Sequence, residues 1–89
     1  MPPALGGEMG RRLFGHYVET QAEGAIANGA RVRKRVAEEG DSQPVGAMAT
    51  VLGSVGPFAE PGTRYGYFVQ WDEIPNVAVF VVDWKIEAA

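Results

Sequence analysis

The sequence predicts an all-β domain, a small barrel of five short strands behind a flexible N-terminal extension. Three observations predict it. Twelve glycines and six prolines in 89 residues favour many short elements joined by turns. After Asn28, apolar residues recur with a period of two in one stretch after another, as a half-buried strand requires. Those stretches are separated by turn-rich segments at the spacing of a small barrel.

The elements follow in order. Residues 1–28 are read as a flexible or partly ordered extension and 29–89 as the barrel domain. In the extension, glycines punctuate a segment with few apolar residues. RRLFGHYVETQ could form a short strand with Leu13 and Tyr17 inward, and QAEGAIA a marginal helical turn weakened by Gly24. ARVRKRVA alternates: Val32, Lys34 and Val36 point one way, Arg31, Arg33 and Arg35 the other. EEGDSQPVG is a loop, with turn residues at Gly40, Asp41, Ser42 and Pro44. VGAMATVLGSV gives a second strand, with Ala49, Val51 and Val55 on one parity and Met48, Thr50, Leu52 and Ser54 on the other. Its small residues suit a barrel bend. GPFAEPGTRYG is a long turn around Phe58. In YGYFVQW, the third strand, Tyr65, Tyr67, Val69 and Trp71 share a face, and Phe68 and Gln70 take the opposite one. Pro75 ends the turn DEIPN. VAVFVV is a fourth strand, apolar on both faces. Asp83-Trp84 is a tight turn before a short fifth strand, KIE.

Residues 29–87 resemble an SH3-like small barrel of the KOW and Tudor type. GARVRKR is similar to the opening strand, VGAMATVLG to the Gly-x-x-Gly-x-Val strand, YFVQWDE to the Val-x-Trp-Asp central strand and exit, and VFVVDWKIE to the closing strand, single turn and last strand. Ala49 stands where the KOW pattern has its second glycine. The resemblance implies a binding module for RNA, DNA, peptides or methylated side chains, or a passive spacer, and leaves the function to be argued from the surface.

Composition narrows the classes. There is no cysteine, which removes disulfides, thiol catalysis and cysteine-ligated zinc. No apolar run reaches the ~20 residues of a membrane helix. The first 15 residues lack the apolar stretch of a secretory signal, so a cytoplasmic protein is expected. The net charge is −3, which opposes general nucleic-acid affinity. Even so, residues 1–40 hold six of the eight basic residues.

That asymmetry makes Arg31, Arg33 and Arg35 the candidate nucleic-acid-binding residues. On a strand they would stand about 6.6 Å apart on one face, a row able to meet phosphates. The competing reading is an edge strand whose outward charges prevent aggregation, neutralised by Glu38, Glu39, Asp72 or Glu73. Tyr65, Tyr67, Phe68, Trp71 and Trp84 suggest an aromatic cage for a methylated cation or a stacking platform. A small core needs most such rings for itself, with Phe68 the one expected at the surface. His16 is the only histidine and has no partnered nucleophile, so no catalytic residue is assigned. Gly53–Pro57 lacks a P-loop lysine and is read as a turn. Asp72, Glu73 and Asp83 lack calcium-loop spacing. No metal and no cofactor is expected.

The double-sided apolar strand at 77–82 needs cover. Either the N-terminal segment folds back on it, with Phe14 and Tyr17 as candidates, or a second copy does. The expected function is therefore a non-enzymatic interaction module that binds a protein or peptide, or itself as a homodimer. Its candidate partner-binding residues are Tyr65, Phe68, Trp84 and Phe58, with the loops Gly40–Pro44 and Pro57–Gly62. An RNA-binding module using Arg31, Arg33 and Arg35 is the alternative.

Overall fold

The computed structural model describes residues 19–89. Five strands form one antiparallel sheet: β1 (Arg31–Lys34), β2 (Met48–Val55), β3 (Gly66–Trp71), β4 (Val79–Val82) and β5 (Ile86–Ala88). A 3₁₀ turn, Asp83–Lys85, joins the last two strands, and the described residues contain no α-helix. The strand order is β4-β3-β2-β1-β5, with every neighbouring pair antiparallel. Among the described residues no pairing joins β4 to β5, so the sheet they form is open.

The alternation in β1 sets one wall of the core. Val32 and Lys34 are buried, while Arg31 and Arg33 are exposed. Ala49 and Val51 of β2, Tyr67, Val69 and Trp71 of β3, Val81 of β4 and Ile86 of β5 complete the buried cluster. Trp71 is the largest fully buried side chain; a sheet this small needs a ring of that size at its centre.

β1 was expected at an edge. It lies between β2 and β5, because the last strand returns to pair Lys34 with Ile86 and Arg33 with Glu87. The charges on its outer face therefore guard no free edge.

β2 breaks its own parity. Val51 pairs with Val69, but Gly53 pairs with Phe68, so Leu52 is an extra residue, a β-bulge. The bulge turns Ser54 inward, where it is buried. A bulge of this kind also re-aims the rest of the strand.

Ser54 then acts as a clasp for the chain before β1. Its hydroxyl accepts the Ala22 N–H at 2.8 Å, its carbonyl accepts the Thr20 hydroxyl at 2.9 Å, and its N–H donates to the Thr20 carbonyl at 2.8 Å. Farther along, the Tyr67 hydroxyl accepts the Ile26 N–H at 3.0 Å and the Tyr65 hydroxyl donates to the Glu23 carbonyl at 2.8 Å. Ala25 and Ile26 pack against the core. Burial pushes the Tyr67 hydroxyl pKa above its ordinary value. Phe14, His16 and Tyr17 lie outside the described residues.

Phe68 was expected at the surface and is only 7% exposed. The reason lies across the strand pair. Phe80 is directly opposite it, with the rings edge to face at 5.3 Å. Gly66 makes room for this: a Cβ there would run into the Phe80 ring.

Candidate functional site

The loop from Gly56 to Tyr65 joins β2 to β3 and is held at both ends. The Phe58 N–H donates to the Arg64 carbonyl at 2.7 Å. One carboxylate oxygen of Asp83 accepts the N–H groups of Arg64 and Tyr65, each at 2.9 Å. The Trp84 indole N–H donates to the Thr63 hydroxyl at 3.2 Å. Short-range turn geometry and the 3₁₀ turn thus fix where the loop tip stands. The other Asp83 oxygen is buried with no hydrogen-bond partner among the described residues.

The loop carries Phe58 to face β4. Phe58 is 39% exposed and Phe80 49% exposed. Together with Ala59, Glu60, Thr63 and Val82 they line a groove of about 430 Å³. Two partly exposed rings thus stand together beside a hydrogen-bonded loop.

The four expected partner-binding residues divide. Phe58 lines this groove. Trp84 does not line it; it is half-buried, tied to Thr63, with the Lys85 ammonium 5.6 Å from the ring centroid. Tyr65 is half-buried and spends its hydroxyl on Glu23. Phe68 sits against Phe80. Phe80, Val82 and Thr63 complete the groove and were not among the expected residues. Only the apolar run at 77–82, with one face in need of cover, pointed toward Phe80 and Val82.

The second expected loop, 40–44, frames a separate charged cluster. Lys34 is 3% exposed. Its ammonium donates to the Gln43 carbonyl at 3.0 Å and lies 3.2 Å from Asp41 and 5.5 Å from the Trp71 ring centroid. Lys85 donates to both oxygens of Asp41 at 3.0 Å and pairs with Glu38 at 3.0 Å. The Asp41 carboxyl is held far below the usual carboxylate range, first because it accepts the Glu38 backbone N–H and next because Lys85 donates to it. Two cations and two anions close on one another here, so little charge is left for a ligand.

The arginine row is also engaged. Arg31 forms a two-pronged pair with Asp72 at 2.8 and 2.7 Å. Asp72 was among the expected neutralising acids. Arg33 meets Glu87 at 3.1 Å, and Arg35 donates to the Trp84 carbonyl at 3.2 Å. Asp72 and Asp83 serve these separate structural bonds, and no group of three or more candidate metal ligands occurs among the described residues. Nor is any helix there long and apolar enough to cross a membrane.

No protein-family model, no curated protein and no solved structure matches the chain.

Proposed function

We propose that the chain is a small, non-enzymatic cytoplasmic interaction module of the SH3-like barrel type, binding a protein or peptide partner across the Phe58–Phe80 groove. The observation that carries this reading is the convergence of two exposed rings on a groove whose loop wall is pinned by Asp83 and Trp84. A surface already held in shape loses less freedom on binding than a mobile one. The strand order with a single 3₁₀ turn between β4 and β5 supports the SH3-like part of the proposal.

The RNA alternative draws less support, because Arg31 and Arg33 pair with acids and Arg35 with a carbonyl. A phosphate would have to displace Asp72 and Glu87 before meeting the first two. The test is a peptide selection against the full chain, followed by affinity measurement on Phe58→Ala. The groove reading expects at least about a tenfold loss, as for a central aromatic anchor. Undiminished binding by a folded Phe58→Ala protein overturns it.

A further inference from the structure

We infer that Asn28-Gly29 is a self-modification site: when residues 19–29 lift from the sheet, Asn28 loses ammonia through a cyclic imide, and the acid left behind keeps them from docking again. Asn28 and Gly29 are the central residues of a turn closed by the Ala30 N–H donating to the Ala27 carbonyl at 3.1 Å. Gly29 has φ +91° while Asn28 keeps a negative φ, the pattern of a type II turn. The step needs only these two residues and water. The Gly29 backbone nitrogen attacks Asn28 Cγ and forms a C–N bond. The bond from Cγ to the side-chain nitrogen breaks, and that nitrogen leaves as ammonia with the proton that Gly29 gave up. Water then opens the five-membered imide at either carbonyl, giving aspartate or isoaspartate. Glycine hinders the attack least, having no side chain. Asn76, the other asparagine of the chain, precedes Val77, whose β-branch crowds the attacking nitrogen.

In the docked fold both reacting groups are occupied. The Gly29 N–H donates to the Val51 carbonyl at 2.7 Å, which carries the β1–β2 ladder past Arg31. The Asn28 side-chain amide donates to the Glu19 and Thr20 carbonyls at 3.1 and 3.2 Å. Ring closure therefore waits on local opening of residues 19–29. Such opening is within reach, because Glu19, Thr20, Gln21, Asn28 and Gly29 are all exposed and segments with little burial open first. The product cannot restore the lost bonds. At neutral pH a carboxylate is ionised and has no hydrogen to donate, so it would turn an acceptor toward two carbonyl oxygens. Isoaspartate also lengthens the backbone of the turn by one carbon. The turn is thus a one-way latch, and its lifetime is set by how firmly the Ser54 clasp holds residues 20–22. The inference does not depend on the groove reading, which is tested through Phe58.

The test is to age the full chain in mildly alkaline buffer, folded and in concentrated urea, and to follow conversion at Asn28 and Asn76 by peptide mass spectrometry. Asn28 is expected to convert at least about tenfold faster in urea than in the folded chain, and there to outpace Asn76. Ser54→Ala removes the acceptor of the Ala22 N–H. It is expected to raise the folded-state rate at Asn28 about fivefold, the effect of one hydrogen bond, and to leave the rate in urea unchanged. In protein aged in urea and returned to buffer, the Ala22 and Ile26 amides are expected to exchange at least about tenfold faster than in fresh protein, with Val69 still protected. Equal rates at Asn28 in buffer and urea, conversion of Asn76 as fast as Asn28 in urea, or an unchanged rate in folded Ser54→Ala overturns the inference. So does aged protein in which Ala22 and Ile26 stay protected. Should Ser54→Ala fail to fold, the two rates of the unaltered chain and the exchange of its aged product decide.

Discussion

Tyr67→Phe removes one oxygen atom and tests how residues 19–30 belong to the domain. Tyr67 is 2% exposed and its hydroxyl accepts the Ile26 N–H at 3.0 Å. Phenylalanine keeps the ring and its packing against Val69 and Val81, so the transfer contribution hardly changes. What is lost is the acceptor for a half-buried N–H, costing about 1–2 kcal/mol when a buried donor is left without a partner. For a domain of this size each kcal/mol lowers Tm by roughly 4–8 °C, so the expected drop is roughly 4–16 °C. The assay is thermal unfolding by circular dichroism, with amide exchange at Ile26 as the local readout. The Ile26 amide should exchange faster in the variant. A Tm within about 1 °C of the parent, far less than one lost bond predicts, together with unchanged exchange at Ile26, would refute the claim that Tyr67 anchors this segment.

Other outcomes follow from the charge pairs. The carboxyls of Asp41 and Asp72 are both lowered, the first chiefly by the Glu38 N–H and Lys85, the second chiefly by the hydrogen bond from Arg31. A depressed folded pKa contributes stability that is present above the ordinary aspartate value of about 3.9 and fades as pH falls through the folded value. Tm should therefore hold from neutral pH to about 5 and decline below. Asp41→Asn should flatten that acid decline, and an unaltered acid limb would contradict the assignment. Tyr67 is shifted upward by burial, so its contribution is present below about pH 10 and lost as pH rises above it; Tyr67→Phe should remove that alkaline loss. Replacing Arg31, Arg33 and Arg35 together with glutamine should leave the affinity for a selected peptide unchanged, as measured by titration calorimetry. Steeply salt-dependent RNA binding by the parent that this triple variant abolishes would favour the alternative function.

How far the sequence could be read varies by element. β1 was legible because Arg31–Lys34 alternates strictly, including a lysine on the inward side. The sequence did not reveal that Asp41 and the Gln43 carbonyl would meet that lysine from a loop, since loop closure depends on tertiary contacts. The third strand was legible for the same reason as the first: Tyr67, Val69 and Trp71 share the core face. Parity failed in β2. The extra residue at Leu52 has no local signature beyond Gly53-Ser54, and a single inserted residue reverses every side chain after it. Phe68 was misplaced on the surface because its cover comes in part from Phe80, twelve residues on, and a strand's outer face cannot be judged before its neighbour's register is known. The same gap hid the groove. Phe58 stood out in its turn, whereas Phe80 looked like one more apolar residue in a run. The tight turn expected at Asp83-Trp84 is a 3₁₀ turn reaching Lys85, with Asp83 and Trp84 bonded back to the loop that carries Phe58.

The proposed function requires a partner to meet this chain at the Phe58–Phe80 groove. The most direct measurement is a backbone amide NMR titration of the full chain with a selected peptide and, separately, a single-stranded oligonucleotide. Binding in the groove should give peptide-induced shifts confined to Phe58, Thr63, Phe80, Val82 and their neighbours, and no saturable response to the oligonucleotide. Shifts centred on Arg31, Arg33 and Arg35 with the oligonucleotide, and none around Phe58 with the peptide, would contradict it.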